Sequence, residues 1–273
     1  MATLQTNTGV PNGTRPAAAV WRWLLLPVSA AVGLLLWEAA VRLNGLPAFI
    51  LPLPGAVWRR FVAVLLDGRL FWHAGITLGE VLGGLALGLA AASVLGYFIA
   101  KSPALERLLA PYIVASQAVP VVAIAPLLVI WFGAGLRSKV LIGALIVFFP
   151  ILINTVVGVR SVEPDLRDLM RSLRAGRWQT FLKLELPAAL PILLGGLKVG
   201  ATLAVIGAVV GEFVGADRGL GFLINVGRGQ YDTALVFVAV FALIALALCL
   251  YGLVAFAERK LLSWQESFEH PNV

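Results

Sequence analysis

Apolar runs of about 20 residues, each long enough at 1.5 Å per residue to cross a hydrocarbon core of about 30 Å, recur along this chain. They lie near 21–42, 75–100, 108–132, 138–159, 188–213 and 233–257. With 60% hydrophobic residues, 13% charged and a mean hydropathy of +0.94, the chain has more apolar surface than one soluble core can cover. The expected fold class is an all-α integral membrane protein of about six transmembrane helices. Residues 1–20, rich in Thr, Asn, Gly, Pro and Ala, read as a disordered tail whose Asn12-Gly13-Thr14 sequon is a chance match. Residues 21–262 form the membrane domain and 263–273 a C-terminal tail. The first apolar run continues to Glu38 without a small-residue cleavage site, which disfavours a removed signal peptide.

A formal charge of +7 would suit nucleic acid, but the basic residues fall between apolar spans instead of on one soluble module. Anionic lipid headgroups and the positive-inside bias account for them, and no nucleic-acid partner is expected. With the N-terminus in the cytoplasm, Lys101, Arg107, the basic residues of 160–183, Arg259 and Lys260 lie inside. That gives about 12 basic residues inside against about 8 outside, among them Arg59, Arg60, Arg69 and Arg137. An even number of spans then puts both termini in the cytoplasm. Cys249 has no second cysteine, and His73 and His270 are too isolated for a metal site, so neither a disulfide nor a metal is expected.

Residues 161–191, SVEPDLRDLMRSLRAGRWQTFLKLELPAALP, interrupt the apolar pattern with a basic amphipathic insert. Leu166, Leu169, Met170 and Leu173 recur at helical spacing behind Pro164 and Asp165, while Arg167, Arg171 and Arg174 take another face. A second short helical pattern, Trp178, Phe181 and Leu182, follows Gly176 and is expected to stop at Pro187. Such an insert suits either a lipid surface or a groove on a soluble partner. The segment PLPGAVWRRFVAVLL between the first two spans reads as an interfacial helix, with Arg59 and Arg60 opposite its apolar side. Pro111, Pro120 and Pro126 require the third span to be kinked or broken.

Polar groups at membrane depth are expensive to expose to lipid and should face the bundle interior. Ser116, Gln117, Asn154, Thr155, Lys198 and Thr202 are therefore candidates for a translocation path, with hydrogen bonding between helices as the plainer alternative. Lys198 lies roughly 16 Å beyond Pro187 along a helix and needs a partner or water. Glu38, Glu80 and Glu212 sit nearer span ends, where headgroups or water can solvate them. Glycines such as Gly83, Gly84, Gly88, Gly195, Gly196 and Gly200 suggest close helix packing. No G-x-x-x-x-G-K-[ST] occurs, and Gly195-Gly196-Leu197-Lys198 lies inside an apolar span without the context of a phosphate loop.

Four segments carry a resemblance: LPLPGAVW at 51–58, VPVVAIAPLLVIWFGAG at 119–135, the insert ending in LPAALP at 186–191, and GEFVGADRGLGFLI at 211–224. The chain resembles the membrane permease subunit of bacterial ATP-binding-cassette importers that depend on a binding protein, in the branch of sulfonate, taurine, nitrate and bicarbonate permeases. That family's loop pattern is Glu-Ala-Ala, three residues, Gly, nine residues, Ile, one residue, Leu-Pro. Anchored on Leu186 and Pro187, it falls on Asp168, Leu169, Met170, Arg174 and Leu184, so an arginine stands at the glycine and Gly176 is expected to supply the turn's flexibility.

The resemblance implies a type I importer permease in a bacterial inner membrane, with no cofactor of its own. Its expected partners are an ATP-binding-cassette ATPase dimer in the cytoplasm, an extracytoplasmic substrate-binding protein and a second permease copy. Leu166, Asp168, Leu169, Met170, Leu173, Arg174, Gly176, Leu186 and Pro187 would couple the permease to the ATPase. The expected solute is a small anion such as a sulfonate or nitrate; the alternatives are an uncharged or heterocyclic nutrient, such as a pyrimidine vitamin precursor, or a secondary transporter. The last would require inverted repeats that the sequence does not show.

Overall fold

The computed structural model describes residues 16–263; the Asn12-Gly13-Thr14 sequon, most of the expected N-terminal tail and residues 264–273 lie outside them. The described chain is helical, and residues 16–20, assigned to the tail from sequence, open α1 (Pro16–Leu43). Then come α2 (Pro54–Leu66), α3 (Arg69–Lys101), α4 (Pro103–Gln117), α5 (Val121–Phe132) and α6 (Leu136–Arg160). The insert forms α7 (Pro164–Ser172) and α8 (Arg177–Thr180), and α9 (Leu186–Gly215), α10 (Leu220–Gly229) and α11 (Thr233–Leu261) follow among the described residues.

Among the described residues, four helical stretches are long and apolar enough to cross a membrane: Arg69–Lys101, Leu136–Arg160, Arg177–Gly215 and Thr233–Leu261. The third expected span is broken: α4 and α5 meet at 94° across residues 118–120 and together make a fifth crossing. Pro120, with its fixed φ and no N–H, opens α5, and Ser102 caps α4 by accepting from the Leu105 N–H at 3.2 Å. The ends of the bundle are set by pairing. Lys101 of α3 meets Glu185, and Arg160 of α6 meets Glu106 of α4 at 2.6 Å, so these residues share the end that carries the insert. Thr77 of α3 meets Glu212 of α9, and Lys139 of α6 meets Glu80 of α3, at the far end. Helices α3 and α6 therefore run parallel, and α9 runs against them.

At the centre α6 is packed between α3 and α9 through small residues. A methyl group added at Gly84 would lie 3.1 Å from the Gly143 Cα, and one added at Gly207 would lie 2.7 Å from the same atom. Three backbones thus converge on Gly143, with Gly96 against Thr155 and Gly200 against Ile151 at other levels. A side chain added at Gly195 or Gly79 would meet nothing within 4 Å, so Gly195 is not needed for a close helix approach in this protomer. The segment read as interfacial is α2, which buries Val57 and Val64, and its Arg60 pairs with Asp232, the cap of α11, at 2.7 Å.

Candidate functional site

The insert stands out at one end of the bundle. Pro164 starts α7 and Asp165 lies in its first turn, where a negative charge suits the positive end of the helix. Leu166, Leu169 and Leu173 are 42%, 54% and 68% exposed, and Trp178 on α8 is 71% exposed, while Met170 is partly covered. An apolar stripe of this kind is left open by the protomer itself. Asp168 pairs with Arg171 at 2.8 Å on the solvent face, and Arg167 Nη2 donates to the Val159 carbonyl at 2.9 Å, tying α7 to the end of α6.

The turn that ends α7 explains the arginine at the family's glycine position. Arg174 has φ +53, in the left-handed region, and the Ala175 N–H reaches back to the Met170 carbonyl at 2.9 Å, closing the helix as a left-handed cap does. The expected role of Gly176 is corrected: its φ is −67, which any residue adopts, and it caps α8 by donating its N–H to Gln179 Oε1 at 2.9 Å. A non-glycine residue in the left-handed region carries about 1–2 kcal/mol of strain. Arg174→Gly is therefore expected to keep the fold and raise stability by up to about 1 kcal/mol, read as a higher melting temperature of the purified protein.

The expected stop at Pro187 is also corrected. The helix runs on from Arg177 to Gly215, because the residues before the proline widen into a π turn, Phe181–Glu185, in which the Leu186 N–H bonds the Phe181 carbonyl. Proline 187 has no N–H for the Lys183 carbonyl, and the wider turn moves that carbonyl away from the ring. Leu186 and Pro187 thus begin the long α9 and are half-buried. The last residue of the π turn, Glu185, was not singled out from sequence. It is 1% exposed and accepts from Tyr97 Oη at 3.0 Å and from Lys101 Nζ, both on α3.

The six polar residues assigned to a path are not brought together. Ser116 and Gln117 are exposed at the end of α4, where Ser116 donates to the Ile113 carbonyl. Asn154 and Thr155 donate to carbonyls of their own helix, at Pro150 and Ile151, and fill the approaches of Gly196 and Gly96. Thr202 donates to the Val199 carbonyl. Lys198 pairs with Glu258 of α11 at 2.7 Å, each side chain 23% exposed.

A second polar cluster lies at the far end. Glu80 and Glu212, expected in water or headgroups, are 2% and 0% exposed. Lys139 bonds Glu80 at 2.9 Å, Thr77 donates to Glu212 Oε1 at 2.6 Å, and the Gly221 N–H closes on Glu212 Oε2. The Leu220 N–H donates to Thr77 Oγ1 at 2.8 Å, and the Gly219 N–H donates to His73 Nδ1 at 2.9 Å. The loop GADRGLG folds back onto the carboxylate of Glu212, and a side chain at Gly219, whose φ is +110, would strike it. A lysine inside an apolar span was the available signal for Lys139, as it was for Lys198.

Residues 84–263 match the family of binding-protein-dependent transport system inner membrane components. The chain belongs to this family. This permease is 51% identical over 247 residues, 90% of its length and 92% of the relative's, to the riboflavin transport system permease protein RibX of Chloroflexus aurantiacus. It is 36% identical to the formylaminopyrimidine transport permease protein ThiX of Halalkalibacterium halodurans, over 85% of this chain and 92% of the relative. With a putative aliphatic sulfonates transport permease protein SsuC of Bacillus subtilis it shares 33% identity, over 93% of this chain and 92% of the relative. Its fold matches the inward-facing MetNI methionine ABC transporter with a TM-score of 0.63 at 17% identity, covering 72% of this chain and 97% of that one. The permease is a non-enzymatic membrane subunit of an ABC importer, and ATP hydrolysis belongs to a separate subunit.

Proposed function

We propose that this permease, paired with a second copy, forms the path for a heterocyclic nutrient delivered by a binding protein, and that α7 docks in a groove of the cytoplasmic ATPase. The insert end then faces the cytoplasm, in keeping with its arginines and the positive-inside bias. The exposed stripe of Leu166, Leu169 and Leu173 carries the docking proposal, since a permease alone leaves it uncovered. Arg171, Arg174 and Asp168 would set orientation at its rim. For the solute, the supporting observation is the 51% identity to a riboflavin permease, with further support from the pyrimidine permease at 36% against 33% for the sulfonate permease. An anion path drew on Lys198, and its charge is already answered by Glu258.

Because Met170 is partly covered, the sharper docking test is Leu169→Glu on the exposed stripe. Loss of an interface anchor is worth about 2 kcal/mol, roughly a 30-fold weaker association. The variant is expected to reach the membrane folded, to lose the ATPase on co-purification and to lose transport. Retained ATPase at wild-type stoichiometry would overturn the docking site. The solute is tested with the permease, its ATPase and its binding protein in a strain lacking flavin uptake. Uptake of labelled riboflavin or a formylaminopyrimidine is expected; uptake of taurine or an alkanesulfonate alone would return the anion assignment.

A further inference from the structure

Between the docking helix and the long α9, the helical ladder is at its weakest. The π turn Phe181–Glu185 replaces the ordinary bonds of one turn, and Pro187 withholds the next N–H. This widened turn is fixed to a different helix by one buried carboxylate. Glu185 accepts from Tyr97 Oη and Lys101 Nζ, which lie one turn apart at the insert end of α3, 88 and 84 residues earlier in the chain. The acid is 2% exposed at its side chain, whereas Lys101 is 40% exposed. A buried carboxylate with two donors is held strongly, and it cannot leave one donor without being stranded.

The aromatic side chains extend the same join. Phe181 packs edge-on against Tyr97 at 5.2 Å, Trp178 stacks on Phe181 at 5.4 Å, and Lys101 lies 5.6 Å over the Tyr97 ring. Beside them is a cavity of about 550 Å³, lined by Tyr97, Phe181, Glu185, Thr155, Ala189 and Leu193. The turn therefore has open space on one side and a pinned carboxylate on the other, which is the arrangement of a hinge with a fixed point.

We infer that Glu185 is a positioning residue for transport: through Tyr97 and Lys101 it makes the cytoplasmic end of α3 move with the docking helix, so that ATPase motion reaches two membrane helices together. This rests on the reading of α7 as the ATPase docking helix. Without the latch, α7, α8 and the π turn would rock on the ATPase while α3 stayed behind, and ATP would be spent without import.

The test is made on the full complex with its ATPase and binding protein in liposomes. Glu185→Gln keeps the side chain's size and removes its charge; Lys101→Met removes the charged donor and leaves Tyr97 Oη on the carboxylate, so import is read per ATP on the complex recovered; Lys101→Arg keeps the charge. The expected result is that Glu185→Gln and Lys101→Met assemble with the ATPase and hydrolyse ATP, while solute imported per ATP falls about tenfold or more, the size of one charge-assisted bond. Lys101→Arg is expected to import within about twofold of the wild type. Wild-type import per ATP in Lys101→Met overturns the latch, as does a Glu185→Gln complex recovered in smaller amount but with wild-type import per ATP. The two proposals fail separately. If α7 is not the docking element, Leu169→Glu leaves the ATPase bound; if only the latch is wrong, Leu169→Glu releases the ATPase and Lys101→Met stays coupled.

Discussion

Lys139→Met is expected to leave little folded permease. Glu80, 2% exposed, receives Lys139 Nζ on Oε1, and its Oε2 has no donor among the described residues. Truncating the lysine therefore strands a buried carboxylate at the far end of the bundle, beside Glu212, which already holds Thr77 and Gly221. Breaking a buried pair from one side costs about 3–5 kcal/mol, most of it the unanswered charge. The double variant Glu80→Leu with Lys139→Met removes both charges and is expected to recover most of that loss, because paired replacement by apolar groups is often neutral. The yield of monodisperse protein and its melting temperature read both. Equal yields for the single variant and the wild type would mean that the ion pair does not hold α3 to α6.

Gly207→Leu is the other large effect. A side chain at 207 starts 2.7 Å from the Gly143 Cα, and on the other side of α6 the same atom is met from Gly84. Backbone cannot yield as a flexible side chain can, so α9 must move off α6. Overpacking of a core costs about 1–3 kcal/mol and more where backbone is displaced, and helices in lipid have no hydrophobic drive to bring them back. The expected outcome is loss of the folded protein, measured as aggregation on extraction. Gly79→Ala is the control on α3. Gly79 is exposed and a methyl group added there would meet nothing within 4 Å, so alanine's better helix propensity should make it neutral or stabilising by about 1 kcal/mol.

Much of the architecture was legible because hydropathy and proline act locally. The apolar runs matching α3, α6, α9 and α11, the break forced by Pro120 and the amphipathic α7 all follow from residues within one element. The exposed apolar stripe of Leu166, Leu169 and Leu173 was legible for the same reason. The polar path was not: a hydroxyl or amide in an apolar run signals only that it needs a partner, and Thr155, Asn154 and Thr202 find theirs one turn back on their own helices.

The sequence by itself determined that this chain is a helical membrane subunit with a basic, amphipathic insert, since the need to satisfy every backbone group in lipid leaves few alternatives. Only the tertiary structure decided which charges are answered and by whom. Lys139 with Glu80, Lys101 with Glu185 and Lys198 with Glu258 join residues 59 to 84 positions apart, and no local pattern marks such a pair. The left-handed turn at Arg174 and the helix that passes through Pro187 were settled there too. The Ala175 N–H on the Met170 carbonyl closes the left-handed turn, and the bonds of Glu185 to Tyr97 and Lys101 hold the widened one, contacts that can keep a conformation local preference alone would reject.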